Sequence, residues 1–479
     1  MSLLHTDVVV IGSELSGWVA AALLAQNGRR VTVLDDDEGV DMRPLGTRNV
    51  PLCPTLWRMP QTGPAAQVLD KLGLRQRARR EFLQPIGIGL VDDPDIRLVL
   101  EMDQEARQKE LQRVFGPAAA SLVEGLSRFR IDGRDCLVEE ATRLHENGFF
   151  SRLRAKQRRR SYGTAGQPQI DDNDVRMLLE TPLGVALKYI APFVQSLAAP
   201  APNGVAGWLA AWQLVAGTLA GTRSGTGLRG AFRQMLREVI ESHGGEVFEE
   251  VRVISVDSEG KKAVRLKSSG THDFAFNTLI DATRLRSLGD RLTDSPQRSA
   301  YLADQEELPL RRGAAVVRWL FPTGLLPRGM SERLVVLPVD TGGTSALVGT
   351  FPSPPPLDRS ANESEDLCAV VAVAPCPVDE SGAECQKLAL RLSTLMPFVK
   401  KGVVAQDRIF GLEAASILPG YGPSPTSHFL AGRSPESAYT NVARAGRDLA
   451  PALGIEGEIA SARAISGYIE HRLGRPANA

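Results

Sequence analysis

The chain opens with apolar runs separated by a short, glycine-bounded turn. Asp7–Ile11 is mainly β-branched, which predicts a strand buried on both faces. The turn Gly12–Gly17 follows, and Trp18–Asn27 is rich in Ala and Leu, which predicts a helix. Val31–Leu34 is a second apolar run that stops at acidic residues beginning with Asp35. This order predicts a βαβ unit with a parallel sheet.

Downstream, the pattern of apolar and polar positions changes several times. The proline-rich segment 42–64 predicts a loop, whereas segment 172–222 is largely apolar and predicts buried helices. Further predicted helices cover 101–115, 118–129, 228–243 and, after a turn at Gly446, the segment to Ile469. Predicted strands cover 246–256, 263–267, 274–281, 314–320, 333–338 and 346–351. We expect 274–281 to be parallel and the last three to be antiparallel strands of a second domain.

The first turn has the setting of a dinucleotide-binding site. Its residues are Gly12, Ser13, Glu14, Leu15, Ser16 and Gly17. In such a site the N–H groups and dipole of the following helix face the pyrophosphate, and an acid after the second strand accepts hydrogen bonds from the ribose. Asp35 stands 23 residues after Gly12 and fits that acid.

Glu14 departs from the glycine pattern. It occupies the position of the middle glycine, which normally lets the backbone approach the pyrophosphate. A carboxylate at ~4 Å from a phosphate costs a few kcal/mol in a surface-like dielectric. Two interpretations therefore stay open: a dinucleotide fold that still binds its ligand, and one that no longer does.

The C-terminal segment carries a family resemblance. Residues 441–461, with Gly-Arg-Asp followed by Leu-Gly-Ile-Glu-Gly, resemble the C-terminal signature of the phytoene desaturase-like FAD oxidoreductases, whose superfamily includes amine oxidases and protoporphyrinogen oxidase. The resemblance implies that this segment meets the flavin and its ribityl chain at a helix N-terminus. The matching residues are Gly446, Asp448, Gly454, Ile455, Glu456 and Gly457.

A third match lies in the middle of the chain. Residues 225–254 resemble the family's helix and the strand beside the adenine, with Val253 at the adenine-contacting position. The resemblance implies FAD as cofactor and an α/β fold with an FAD/NAD(P)-binding Rossmann-like domain of the glutathione-reductase type plus an α+β substrate domain. The implied FAD-binding domain comprises 1–85, 222–300 and 425–479, and the substrate or helical domain comprises 86–221 and 301–424.

Three departures from the family fall on the cofactor contacts. Besides Glu14, the Gly-Gly-Arg-like turn after the acid is missing, so that only Arg43 or Arg48 could contact the phosphates. Arg447 is inserted between Gly446 and Asp448.

Composition narrows the choice of function. The 479 residues include 56 Lys and Arg and 56 Asp and Glu, so the formal net charge is zero. General nucleic-acid binding requires a basic excess and is therefore not expected. The five cysteines (Cys53, Cys136, Cys368, Cys376 and Cys385) are scattered, which fits reduced thiols in the cytoplasm. The histidines lack the spacing of metal ligands, so no metal site is predicted.

Two segments bear on membrane contact. Gly204–Gly221 carries no charge and places Trp208 and Trp212 at helical spacing. A buried helix is favoured, and a substrate-lining helix, a membrane-dipping helix or a membrane span stays open. The basic run 154–160 is interpreted as a solvated helix face, with contact to an anionic surface as the alternative. A cytoplasmic protein with peripheral membrane contact is the corresponding expectation.

Three hypotheses about function follow. The first is an FAD-dependent desaturase, oxidase or isomerase that acts on an apolar, isoprenoid-like small molecule, without an assignable catalytic base. The second is a non-catalytic protein on the same fold, since Rab GDP-dissociation inhibitors resemble this superfamily and bind lipid and protein partners without flavin. The third, a nicotinamide enzyme, is disfavoured by the flavin-type C-terminal segment.

Overall fold

The computed structural model describes residues 2–35, 42–54, 63–82, 84–85, 88–92, 96–100, 104–117, 220–221, 228–306, 310–328, 330–336, 345–352, 354, 356–357, 366–417, 420–421, 434–449 and 454–473. The strands are β1 Ser2–Ile11, β2 Val31–Asp35, β3 Met42–Leu45, β4 Arg48–Pro51, β5 Gln84–Pro85, β6 Ile88–Asp92, β7 Ile96–Leu100, β8 Ala220–Gly221, β9 Glu246–Glu249, β10 Val253–Glu259, β11 Lys262–Ser268, β12 His272–Asp281, β13 Leu310–Pro322, β14 Arg333–Val336, β15 Ala346–Pro352, β16 Leu367–Pro377, β17 Ala405–Ile409, β18 Gly420–Tyr421 and β19 Val442–Arg444. The α-helices are α1 Leu15–Gln26, α2 Gly63–Lys71, α3 Arg75–Phe82, α4 Gln104–Phe115, α5 Leu228–Ser242, α6 Pro296–Glu306, α7 Ser381–Leu395, α8 Gly411–Ile417 and α9 Gly454–Leu473.

The first sheet gathers strands from three distant parts of the chain. Its order is β10-β11-β12-β1-β2-β9, and β19 pairs with β12. Strands β9, β2, β1, β12 and β19 run parallel, whereas β10 and β11 form an antiparallel arm. Ile11 is in register with both Leu34 and Asp281, so β1, β2 and β12 end at the same edge. That carboxyl edge is where open parallel sheets bind ligands.

Helices cover both faces of this sheet. On one face α1 packs between α5 and α9, and Trp18, Leu236 and Ile465 belong to one buried cluster. On the other face Tyr301 from α6 packs in a second cluster with Phe274 of β12. The apolar area removed from water on both faces stabilises the sheet and fixes where its carboxyl edge opens.

The second sheet is mainly antiparallel. Its order is β17-β13-β16-β15-β14-β6-β7, with β18 beside β13. Only β6 and β14, among the described strands of this sheet, pair in parallel. Helix α7 buries Leu388 and Leu392 against one face, and α8 buries Ala414 against the other.

Most predicted elements that lie in the described residues are confirmed. The βαβ unit forms β1, α1 and β2, and 274–281 belongs to β12, which runs parallel to β1. The three strands predicted for the second domain are β13, β14 and β15, each with antiparallel neighbours. The domain boundaries stay a prediction; the first sheet takes its strands from 2–35, 246–281 and 442–444, and the second from 88–100 and 310–421.

Two predictions were wrong. The proposed loop over 42–64 begins with the hairpin β3–β4, in which Met42 pairs with Pro51. The proposed strand 246–256 is two strands, β9 and β10, separated where Glu250 adopts a φ of 58°. The helices predicted over 118–129 and across nearly all of 172–222, and the basic run 154–160, lie outside the described residues; 220–221 forms β8.

Candidate functional site

The glycine turn lies at the carboxyl edge of the first sheet. Gly12 has a φ of +104°, and a Cβ there would lie 2.3 Å from the carbonyl oxygen of Ala282. Its N–H donates to Leu34 O at 2.9 Å, and the N–H of Glu14 donates to Ala282 O at 2.9 Å. Only glycine fits the first position, because any side chain would strike the backbone after β12.

The second glycine of the turn sets the distance between helix and sheet. A Cβ on Gly17 would lie 2.3 Å from the Cβ of Ala282. Leu15 and Ser16 are buried in the first turn of α1. Ser13 Oγ accepts a hydrogen bond from Arg284 Nε at 3.1 Å. The predicted turn therefore has the close packing of a dinucleotide fold.

Glu14 is buried directly before α1. It is 5% exposed, and its backbone is extended. It occupies the N-cap position, yet its side chain makes no capping hydrogen bond. Its Oε2 has no hydrogen-bond partner among the described residues and lies 3.9 Å from Arg229 Nη1. A carboxylate so placed is costly unless it is protonated or paired.

Glu458 from α9 occupies the N-terminus of α1. Its Oε2 accepts the N–H of Leu15 at 3.2 Å. Its Oε1 accepts Arg447 Nε at 3.1 Å and also forms a buried ion pair with Arg229. We call Glu14, Glu458, Arg229 and Arg447 the carboxylate cluster. It joins the turn before α1 to helix α9.

The two carboxylates of the cluster differ in protonation. Burial, followed by repulsion from Glu458, raises the pKa of Glu14 to about 7. Burial alone would also raise the pKa of Glu458, but Arg229, Arg447 and a hydrogen bond from Glu14 lower it below its ordinary value. Glu458 is therefore the ionised member, and Glu14 holds a proton up to near-neutral pH.

The predicted ribose acceptor already has a cationic partner. Asp35 ends β2, and its Oδ2 accepts Arg233 Nη1 of α5 at 2.8 Å. The guanidinium of Arg233 also lies over the Trp18 ring, 5.8 Å from its centroid. Val253, the predicted adenine contact, is 5% exposed at the start of β10.

Both arginines suggested for phosphate contact are directed towards the second sheet. Arg43 of β3 forms an ion pair with Glu413 of α8. Arg48 of β4 is buried and donates from Nη1 to Pro354 O at 3.5 Å. The structure thus does not bring these guanidinium groups into the carboxylate cluster.

The C-terminal residues meet the N-terminal turn as the sequence predicts. A Cβ on Gly446 would lie 2.9 Å from Asp448 Oδ1 and 4.0 Å from Glu14 Cγ. Asp448 is buried. Gly454, Ile455, Glu456 and Gly457 form the first turn of α9. The turns around Gly12 and Gly454, far apart in sequence, therefore belong to one site.

A polar cleft opens beside this junction. Its lining includes Glu14, Asp281, Tyr301, Arg444 and Asp448. Asp281 accepts hydrogen bonds from Thr283 Oγ1 at 2.6 Å and from the Tyr301 hydroxyl, while burial raises its pKa. The cleft lies where β1, β12 and β19 end and presents mainly hydrogen-bonding groups.

Glu458 and Arg229 are site residues that the sequence did not reveal. They are 229 positions apart, and Glu458 contacts Leu15 across 443 positions. The available signal was Glu458 directly before the small and largely apolar run 459–462, where an acid needs a buried cationic partner.

The pyrophosphate of FAD does not fit the turn as it stands. It requires an available N–H at the start of α1. Here Glu458 accepts the Leu15 N–H and also engages Arg229 and Arg447. The buried side chain of Glu14 adds a carboxyl group where the ligand would approach. The place of the phosphates is thus filled by the chain's own carboxylates.

The fold is similar to that of solved oxidoreductase structures, which confirms the predicted α/β class with a Rossmann-like domain. A family model described as an NAD(P)-binding Rossmann-like domain matches residues 10–72. An oxidoreductase from Methanosarcina mazei is similar, with 12% identity, a TM-score of 0.56 and coverage of 96% of this chain and 100% of that chain. Cyclohexylamine oxidase from Brevibacterium oxydans is also similar, with 13% identity and a TM-score of 0.50. The match covers 98% of this chain and 99% of that chain.

The fold is also similar to that of a protein that is not named as an oxidoreductase. A Rab GDI from Plasmodium falciparum has 10% identity and a TM-score of 0.52, with 96% of this chain and 97% of that chain covered. No curated protein matches the sequence. At these identities the likeness concerns the fold alone.

Three further features of the described residues concern metals, thiols and the membrane. Within the described ranges, no group of three His, Cys, Asp or Glu side chains is arranged to hold a metal ion. Cys53, Cys368, Cys376 and Cys385 form no disulfide. None of the helices in the described part of the chain has the length and apolar character needed to cross a bilayer. Apart from 220–221, the segment Gly204–Gly221 lies outside that part.

Proposed function

We propose that this chain is a ligand-binding protein that uses the amine-oxidase-type fold without FAD. The observation that carries the proposal is the hydrogen bond from the Leu15 N–H to Glu458 at 3.2 Å. It places a carboxylate of the protein at the helix N-terminus that would otherwise bind a phosphate.

Displacing this carboxylate is energetically unfavourable. The Glu458 side chain is 0% exposed and has ion pairs to Arg229 and Arg447. A diphosphate that took over both arginines would leave Glu458 buried and uncompensated. Breaking a buried ion pair in this way costs about 3–5 kcal/mol. Glu14 adds its own desolvation or repulsion on the same side of the turn.

The ligand of this proposal is a small polar molecule. The cleft beside the carboxylate cluster is lined by carboxyl, guanidinium, amide and phenol groups, including Asp281, Tyr301, Gln305 and Arg444. Such a polar lining favours a hydrogen-bonding ligand over an apolar one.

The test is flavin binding by the purified full-length protein. We expect no flavin absorption near 450 nm after purification or after incubation with FAD and gel filtration. The double variant E14G/E458A removes both carboxylates and leaves Arg229 and Arg447 beside the Leu15 N–H, so it is expected to gain FAD binding.

The matched control is E14G/E470A. Glu470 also lies on α9 but pairs with Arg29 at 2.7 Å, away from the turn. This variant retains Glu458 and is expected to remain colourless. Stoichiometric FAD in the wild-type protein would refute the proposal, and an equal gain in both double variants would mean that Glu458 is not the obstacle.

The second candidate is an FAD-dependent oxidoreductase acting on an apolar, isoprenoid-like substrate. The observation in its favour is the meeting of the turns around Gly12 and Gly454, an arrangement that the family uses for its flavin. The same absorption spectrum separates the two candidates, since only the oxidoreductase predicts a yellow wild-type protein.

A further inference from the structure

Two neighbouring loops form one end of the second sheet. Residues 322–328 begin at the last residue of β13, and residues 396–404 precede β17. The N–H of Val404 donates to Leu320 O at 2.8 Å. A Cβ on Gly402 would lie 2.1 Å from Leu325 Cδ1, so the loops are in direct contact. We call residues 322–328 and 396–404 the basic tip.

The basic tip has charge of one sign. Its sequence includes Arg328, Lys400 and Lys401 and no Asp or Glu, although the whole chain has no net charge. All three side chains are exposed. At the base of the tip the carbonyl of Asp366 accepts the N–H of Thr323 at 2.9 Å, and Asp366 ends an acidic run that also contains Glu363 and Glu365. The tip itself carries three positive charges.

The same tip exposes large apolar side chains. Phe398 is 79% exposed and Val404 is 62% exposed. Between them Val399 is fully buried, and Met396 is 1% exposed. These two buried residues anchor the loop and hold Phe398 outward, so its exposure is a property of the folded loop. Exposed aromatic and aliphatic side chains beside Lys and Arg are the combination found in segments that lie on a membrane surface.

We propose that the basic tip docks on the surface of an anionic lipid bilayer. Phe398 and Val404 would enter the interface between headgroups and acyl chains, while Lys400, Lys401 and Arg328 meet anionic headgroups. A second copy of the tip is a poor partner, because two surfaces of three positive charges repel each other. This inference is independent of whether the chain binds FAD.

The test is flotation of the full-length protein with phosphatidylcholine vesicles, with and without phosphatidylserine. We expect binding to the phosphatidylserine vesicles that weakens as salt is added. K400E/K401E is expected to lower the partition coefficient at least roughly thirtyfold at low salt, since each lysine near such a surface contributes about a fivefold factor. F398S is expected to lower it several-fold.

Matched variants elsewhere on the molecule control for charge and apolarity. K261E/K262E reverses two exposed lysines at the β10–β11 turn, and F410S removes another exposed aromatic. Both are expected to bind vesicles like the wild type, and thermal melts check that all four variants fold. Absence of wild-type binding, binding equal on neutral vesicles, or equal losses in tip and control variants would overturn the proposal.

Discussion

Glu14 and Glu458 both lie at the N-terminus of α1, and they differ in protonation. Glu458 is ionised, accepts the Leu15 N–H at 3.2 Å and is compensated by two arginines. Glu14 lies beside it with its pKa raised to about 7, because burial and its neighbour disfavour a second negative charge. The cluster is therefore sensitive to pH in the neutral range.

Glu14→Gln is expected to change how stability depends on pH. Since the folded-state pKa of Glu14, about 7, is above its ordinary value of 4.5, its contribution to stability is complete below pH 4.5 and is lost as pH rises through 7. Gln mimics the protonated form of Glu14, so the variant does not lose this contribution to stability as the pH rises. The variant should match the wild type near pH 4 and exceed it near pH 8 by up to about 3 kcal/mol.

Urea denaturation at the two pH values measures this difference. Glu246→Gln is the control, because Glu246 is exposed on β9 and its substitution removes a charge without changing the buried cluster. A constant difference between Glu14→Gln and wild type across the pH range would contradict the assignment.

At the residue level, the sequence predicts the turn but not what fills it. Gly12, Gly17 and Asp35 follow from spacing, because a tight turn, a close helix approach and an acid after β2 are local requirements of the fold. The partners Glu458 and Arg229 come from distant segments, and no local rule pairs them. The sequence shows that Glu14 replaces a glycine of the turn. Only the structure shows that Glu458, Arg229 and Arg447 surround it.

The β3–β4 hairpin is an element that depends on one buried arginine. Arg318 of β13 is 1% exposed and donates to the carbonyl oxygens of Arg43 and Val50 at 3.1 and 3.0 Å. It also donates to Pro44 O and forms an ion pair with Asp407 of β17. One side chain thus holds the hairpin against the second sheet.

Arg318→Met is expected to destabilise the protein by about 2–4 kcal/mol, because three carbonyl groups lose their donor and Asp407 loses its cation. Arg408→Met is the control, since Arg408 is exposed on β17 and should cost no more than about 0.5 kcal/mol. Urea unfolding gives both values. Equal costs would mean that Arg318 does not hold the hairpin.

This dependence explains why the hairpin was predicted as a loop. Pro44 and Pro51 signal a break in regular structure when only neighbouring residues are considered. The donors that satisfy the hairpin come from β13, far along the chain. Around Glu250 the sequence predicts one continuous strand over 246–256. In the structure β9 ends before Glu250, which adopts a positive φ, and β10 begins after it.

At the scale of the whole molecule, the two ends of the chain share one core. Ile465 of α9 is 0% exposed and packs in the same cluster as Trp18 of α1 and Val8 of β1. Arg29, just after α1, forms an ion pair with Glu470 near the end of α9 at 2.7 Å. The sequence resemblance predicted this closure, since both segments carry parts of the same family signature.

Ile465→Ala is expected to lower the free energy of unfolding by about 2–5 kcal/mol, because it leaves a cavity in the shared core. Hydrogen exchange should then accelerate in β1 and α1 as well as in α9, since these elements form one cooperative unit. Ile254→Ala, at a side chain 61% exposed, is the control and should leave exchange unchanged. Faster exchange confined to α9 would contradict a shared core.

The placement of β19 and α9 also has a consequence for synthesis. The ribosome produces β1, α1 and β2 before β19 and α9, which emerge roughly 20–80 s later at about 5–20 residues per second. Until then α1 lacks its packing partner α9, and β12 lacks its second parallel neighbour, β19. A nascent chain with such a long wait is a natural client for chaperones that shield apolar surface.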